Sequence, residues 1–558
     1  MELDAKALIS VLTDLQPSQA YGKVTKVVGL IAEGRGIKAP IGSVCRLMPD
    51  DSRGVEIPAE VVGFRDGACL FMPYGDMRGI SPGTLIKNTS TPPNMPVGRR
   101  FLGRTVDAFG QPIDDIGPIF PGKFRSLYAD PPSPLERPRI AEPLDVGVRA
   151  INGLLTLGKG QRVGIMAGSG VGKSTLMGMI ARGTKADVNV IGLVGERGRE
   201  VLEFIEKDLG PEGLARSVLV VATSDQSPLI RMRAAYAATA MAEYFRDEGA
   251  DVILMMDSVT RFAMAGREIG LAAGEPPTTR GYTPSVFAHL PKLLERAGKN
   301  RSGSITGIYT VLVDGDDFTE PIADSTRSIL DGHIVLTRDL ADQGHFPAID
   351  VLKSISRLRS DVTTPEQREA GRTLIRLLAT YRRVEDMVNI GAYAKGSNPD
   401  IDRALVMIDP INAYLRQDVG EPATLETSFA ALSKLTGGEV GGRPRLRAAA
   451  GPDVRAAVGR GLRAAAGPDV RAVVDPGLRA VVGRGSRSGL SAAYSHTKSS
   501  GTVTPCRRAS GVVSGPLRPS FARMYSSTCQ FGMPQTSSLF LNTTSHSSAK
   551  FLPTFSLS

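Results

Sequence analysis

The sequence predicts an α/β protein: a parallel-sheet core, a small β-barrel ahead of it, a helical domain behind it, and a disordered low-complexity tail. Three observations carry this. The stretch Gly164-Ile-Met-Ala-Gly-Ser-Gly-Val-Gly-Lys-Ser-Thr175 reads as a strand end, a glycine-rich loop and a helix start. From Gln161 to about Arg359, apolar β-type runs alternate with helical patterns, as in a parallel sheet with crossover helices. After Gly437 the chain turns to repeats and then to Ser/Thr-rich sequence.

The glycine-rich stretch is a P-loop in all but one position: Ala167 stands where the strict pattern has Gly. Gly168, Gly170 and Gly172 let the backbone turn tightly around Ser169 and Val171, so that successive N–H groups can point at one anion. Lys173 adds a cation. Ser174 offers a hydroxyl suited to Mg²⁺, and Thr175 leads into a helix whose positive end faces the phosphates. Phosphate groups and Mg²⁺ are the ligands this chemistry expects.

Its 558 residues suffice for about three or four domains with a large core. The formal charge of +10 looks like a nucleic-acid signal, but its distribution removes it. From Gly437 onward there are 16 Lys/Arg against 4 Asp/Glu, which leaves 51 against 53 in the body. The body is near neutral, and no specific nucleic-acid partner is expected. The four cysteines (Cys45, Cys69, Cys506 and Cys529) have neither metal-ligand spacing nor a disulfide framework, which suits a reducing cytosol. The first residues, Met-Glu-Leu-Asp, lack a basic segment and apolar run, so a secretory signal is not expected. No run of about 18 apolar residues predicts a spanning helix.

In chain order, Leu3, Ala7, Leu8, Val11, Leu12 and Leu15 place one apolar stripe on a short helix over 1–18. Over 19–97, short β-type runs such as Ser43-Val-Cys-Arg-Leu and Ala68-Cys-Leu-Phe-Met are punctuated by Gly, Pro and Asp at hairpin spacing. A closed barrel removes their open edges. The core is read over 98–363. It opens on a turn-rich stretch to about 150, and its strands are expected at 161–167, 188–194, 217–222, 252–257, 305–313 and 332–336. A helical domain follows over 364–438, with helices near 373–388, 400–415 and 425–435. Beyond it, Leu446-Arg-Ala-Ala-Ala-Gly-Pro-Asp recurs at Leu462 and in degenerate form at Leu478. Each copy has helix-breaking Gly and Pro and too few large apolar residues for a stacked core. Residues 439–558 therefore read as disordered, and a translation of unselected DNA after a frameshift accounts for them as well as a basic tail does.

Other residues fit around the P-loop. Asp251-Val-Ile-Leu-Met-Met-Asp257 is an apolar strand ending in a carboxylate that can serve the Mg²⁺ shell. In Gly195-Glu-Arg-Gly-Arg-Glu200, Glu196 is the candidate to polarise the attacking water, with Glu200 as the weaker choice. Arg197 could contact phosphate or hold Glu196. Arg357, in Ser354-Ile-Ser-Arg, has no partner that spacing identifies. On pattern alone it is a surface arginine, and Phe346 an ordinary aromatic.

Taken together, AGSGVGKST, GLVGERGREV, FPAIDVLKSISR and the run from Asp257 to Gly298 resemble the export ATPases of flagellar and type III secretion systems, homologues of the catalytic β subunit of F-type rotary ATPases. The likeness covers about residues 1–436 and is nearer to the flagellar branch. It implies a RecA-like core, a homohexameric ring with ATP at subunit boundaries, and coupling of hydrolysis to protein export. By resemblance, Lys173 contacts the β- and γ-phosphates, Ser174 and Asp257 serve Mg²⁺, and Glu196 activates water. Arg197 and Arg261 are phosphate-side or switch arginines. Arg357 falls where such rings place a trans-acting arginine, and Phe346 where an aromatic stacks on adenine. The implied partners are a negative regulator or stalk protein (received by the N-terminal helix), export-gate membrane proteins, export substrates and chaperones. The implied location is the cytoplasm, peripheral to the export apparatus at the inner membrane. A virulence-type type III secretion ATPase is the alternative within the family; a non-catalytic nucleotide-binding ring subunit is the alternative from another class, and Glu196 argues against it.

Overall fold

The computed structural model describes residues 21–49, 55–89, 93–313, 317 and 319–437. The expected helix over 1–18 and the tail over 439–558 lie outside them. Two units divide at Ala450, and every described residue lies in the first.

Six antiparallel strands form a closed barrel: β1 (Tyr21–Val28), β2 (Ile31–Arg35), β3 (Val44–Met48), β4 (Ile57–Arg65), β5 (Ala68–Pro73) and β6 (Leu85–Asn88), in the order β1-β2-β5-β4-β3-β6. The alternation that predicts it is visible in β3, where Cys45 and Leu47 face the core and Arg46 faces out. The interior packs Val24, Leu47, Val61, Phe71 and Ile86, with both barrel cysteines as buried free thiols.

A buried polar junction ties the barrel to the core. Glu60 of β4 accepts hydrogen bonds from Tyr74 Oη at 2.6 Å and from Tyr128 Oη at 3.1 Å. Burial pushes its carboxyl above the usual range, against the pull of Tyr74, Arg233 and Tyr128. Arg233, on the helix Pro228–Asp247, donates to Ala108 O and Asn94 O at 3.1 Å each and lies over the Phe109 ring, 4.7 Å from its centroid.

The core is a nine-stranded sheet. Its path runs Ile355–Ser356, Gly332–Leu336, Arg162–Ala167, Ser304–Leu312, Asp251–Asp257, Val188–Glu196, Ser217–Thr223 and Arg104–Val106, and Gly298–Lys299 pairs beside it. All six expected strands are present within two residues of their expected ends. The short strand Arg104–Val106 was hidden in the turn-rich stretch: three residues are too few to show a period. The central strands are buried on both faces. Val190 and Val194 join one apolar cluster with the helices Pro228–Asp247 and Val259–Ala273, while Ile191 and Leu193 join the opposite one with Lys173–Gly183. Within the first face Arg296 is fully buried but paired: Nε and Nη2 donate to the two Glu243 oxygens at 2.9 and 2.8 Å, and Nη1 to Leu127 O at 2.7 Å.

The last domain holds the helices Pro365–Asn389, Pro399–Leu415 and Leu425–Thr436. The first starts earlier than its apolar period suggests, because Thr364 and Gln367 form a capping box ahead of it. Gln417 ties this domain to the core: its N–H donates to Phe346 O at 3.0 Å and its Oε1 accepts from Arg149 N at 2.7 Å. Among the described residues no helix is long and apolar enough to cross a membrane.

Candidate active site

The P-loop leaves the carboxyl end of Arg162–Ala167, a strand flanked by Ser304–Leu312 and Gly332–Leu336. Both neighbours come later in the chain, so this is a place where the sheet's strand order changes, and ligands bind at such places. Gly170 and Gly172 hold φ of +80° and +87°, which side chains rarely adopt. Gly172 caps the helix Lys173–Gly183, so Lys173, Ser174 and Thr175 occupy its first turn.

Lys173 reaches over the intervening strand. Its Nζ donates to Asp257 Oδ1 at 2.5 Å and lies 3.5 Å from Glu196 Oε1. Thr310, on that intervening strand, donates its hydroxyl to the same Asp257 oxygen at 2.7 Å. Burial works to lower the Lys173 ammonium, but the Asp257 and Glu196 carboxylates hold it above the usual range.

Glu196 ends the strand Val188–Glu196, and its Oε1 is buried without a hydrogen-bond donor among the described residues. Burial first, then the Asp257 charge, push its carboxyl up to about 7. Lys173 opposes the rise, and Glu200 beside it adds to it. Arg197 is exposed and donates to Glu200 Oε1 at 3.1 Å, so the structure sets it beside Glu200 rather than in the P-loop. Arg261, on the helix Val259–Ala273, packs against Gly195, the residue before Glu196. Gly195 holds a φ of +75°, and a Cβ there would come within 3.0 Å of Arg261 Cβ, so only glycine lets the arginine stem pass. Arg261 Nε is buried with no acceptor among the described residues.

Phe346 stands at the helix end of the loop, beside Gly172. Its ring is half exposed and so close to Gly172 that a Cβ there would touch it at 3.6 Å. Arg357 is not brought to this cluster. It is exposed, its N–H donates to Asp331 O at 3.0 Å, and its Nη2 donates to Arg327 O at 3.2 Å. That is the amino end of Gly332–Leu336, roughly 16 Å of strand away from the P-loop.

Two residues were missed by the sequence reading. Thr310 lies mid-strand with no motif around it. Arg338 donates from Nη2 to Ser169 O at 3.1 Å. It follows the carboxyl end of Gly332–Leu336, and that position was the available signal.

With this geometry in place, the likeness to known proteins is specific. Residues 147–356 match the nucleotide-binding domain of the ATP synthase alpha/beta family, and residues 363–434 match the T3SS EscN ATPase C-terminal domain. The flagellum-specific ATP synthase of Bacillus subtilis (strain 168) is 55% identical over 439 residues, covering 78% of this chain and 100% of that protein. The type 3 secretion system ATPase of Xanthomonas euvesicatoria is 50% identical over 425 residues, covering 76% and 96%. Among solved structures, the assembled ATPase EscN in complex with its central stalk EscO, from the type III secretion system of enteropathogenic E. coli, matches with a TM-score of 0.69 at 46% identity. The match covers 74% of this chain and 100% of that one. The chain belongs to the ATP synthase alpha/beta family, among its flagellum-specific and type 3 secretion ATPases.

Proposed function

We propose that this protein hydrolyses ATP at the P-loop and couples hydrolysis to the export of flagellar proteins. The observation that carries the chemistry is Glu196: a buried carboxyl poised near neutrality, 3.5 Å from Lys173, with one oxygen lacking a donor. A base of that pKa accepts a proton from water most effectively near physiological pH. Glu196 orients the attacking water, and Lys173 leaves Asp257 to neutralise charge on the transferred phosphoryl group. Phe346 stacks on the adenine, and Arg261 donates on the phosphate side. Arg197 acts at a remove, by holding Glu200 beside Glu196.

The Ser174 hydroxyl and one Asp257 carboxylate are a small set of hard oxygen donors. Among the described residues no group of three or more His, Cys, Asp or Glu is placed to hold a metal alone. Such a set fits Mg²⁺ shared with substrate phosphates; Ser174 and Asp257 would hold it, and bound there it would supply charge neutralisation.

Arg357 supports a ring of identical subunits. It is exposed and distant from its own P-loop, so it can meet a phosphate only on another copy. The assembled state of the EscN relative supports the same reading, and its EscO complex supports a stalk partner received by the ring. We assign the regulator-binding segment to residues 1–18. Export-gate membrane proteins, export substrates and chaperones complete the partners, at the cytoplasmic side of the inner membrane. The flagellar assignment follows the 55% identical relative.

The test is Mg²⁺-ATPase activity against protein concentration for the full chain, a chain stopped at Gly438, and Glu196→Gln. Activity that rises faster than concentration in the first two and vanishes in the third is expected. Activity proportional to concentration that survives Glu196→Gln would remove both the base and the ring.

A further inference from the structure

We infer that Arg338 is a positioning residue for the P-loop, fixing the peptide plane that aims one anion-binding N–H. This rests on the reading of the loop as the nucleotide site. Arg338 Nη2 donates to the carbonyl oxygen of Ser169 at 3.1 Å. The Ser169–Gly170 peptide is trans, so its N–H points away from that carbonyl. Anchoring the oxygen on Arg338 therefore turns the Gly170 N–H away from Arg338. This N–H has no acceptor among the described residues, as expected of a donor kept for a ligand.

Among the described residues no other hydrogen bond holds this plane. Ser169 and Gly170 are exposed, and a Cβ at Gly170 would meet no atom within 4 Å, so packing does not restrain the loop there. A glycine with a φ of +80° is free to flip, and a flip would turn the carbonyl dipole toward the phosphates.

One segment supplies two contacts to the loop. The chain turns back after Gly332–Leu336, with Thr337 N donating to Ala348 O at 3.0 Å and His345 N to Leu340 O at 2.9 Å. From this turn Arg338 meets Ser169 and Phe346 lies against Gly172, so the loop is held near both ends by side chains eight residues apart. Arg338 need not touch substrate to act. A lysine could reach the same carbonyl, but as a single point donor it would fix the plane less well.

The experiment measures binding of a fluorescent N-methylanthraniloyl ADP with MgCl₂, together with steady-state ATPase kinetics, for the full chain, Arg338→Ala, Arg338→Lys and, as a site control, Lys173→Ala. For Arg338→Ala, weaker nucleotide binding and a KM raised about three- to tenfold are expected, with kcat within about twofold and Tm unchanged. Arg338→Lys should recover part of the loss. Unchanged binding and KM in Arg338→Ala, beside a wild type that binds and a Lys173→Ala that does not, would overturn the assignment and leave the site intact. A loss of Tm as large as the loss of binding would also overturn it, by making Arg338 a fold residue. A wild-type protein that fails to bind nucleotide would remove the site reading itself.

Discussion

Lys173 Nζ donates to Asp257 Oδ1 at 2.5 Å, so the P-loop cation is held by the carboxylate proposed for the metal shell. Asp257 is buried, and removing its partner leaves Thr310 as its remaining donor. Lys173→Ala should therefore abolish nucleotide binding and also destabilise the nucleotide-free protein, by about 1–3 kcal/mol. The double variant Lys173→Ala with Asp257→Asn should recover most of that stability and no activity. Thermal unfolding of the four proteins in a double-mutant cycle measures the pair. Additive losses would mean that the two side chains act independently.

Glu196 sets the pH profile. Its carboxyl titrates near 7 and accepts a proton only when ionised, so kcat/KM should rise with pH through about 7 and level off above. Glu200 adds to the elevation, so Glu200→Gln should move this rise to lower pH. A flat kcat/KM from about pH 5.5 to 8.5 would exclude Glu196 as the base.

Phe346 should govern affinity and not chemistry. Phe346→Ala should weaken ATP binding about tenfold, as expected for loss of one base stack, with kcat nearly unchanged, while Phe346→Tyr stays close to wild type. Equilibrium binding and kcat measured on the same preparations separate the two effects. A collapse of kcat at saturating ATP would place the ring in the chemical step.

Arg357→Ala should lower kcat about a thousandfold without loss of nucleotide binding. Mixing it with Lys173→Ala copies should restore part of the activity. At some boundaries an intact P-loop would then face an intact arginine. If the mixture is no more active than its parts, Arg357 does not act between subunits.

His345 makes stability depend on pH. It is buried beside Phe346, and burial together with Arg416 and Arg382 pushes its pKa down to about 4. The unfolded chain takes up this proton near 6.5. A depressed folded-state value means full stability above about 6.5, lost progressively as pH falls toward 4. His345→Leu should flatten the dependence of Tm on pH in that window. An equal slope in both proteins would assign the loss to other groups.

The sequence made some of this legible and hid the rest for physical reasons. Strands buried on both faces announce themselves as continuous apolar runs, which is why Val188–Glu196 and Asp251–Asp257 could be placed closely. The glycine spacing of the P-loop is local, and so is the carboxylate that ends a strand. What local pattern cannot carry is contact between strands distant in the chain. Thr310 meets Asp257 only because two parallel strands share a register. Arg338 meets Ser169 across 169 residues of chain. The placement of Arg197 against Glu200 depended on which way a helix start turned.

The Glu60 junction bears on heredity. Its ligands come from three parts of the chain: Tyr74 just after β5, Tyr128 in the linking segment, and Arg233 on a core helix, whose charge acts on the carboxylate. A transplanted barrel would bring Glu60 and Tyr74 together but would meet a core that need not supply Tyr128 and Arg233. An exchange between barrel and core keeps this junction only where the break leaves all four residues on one side.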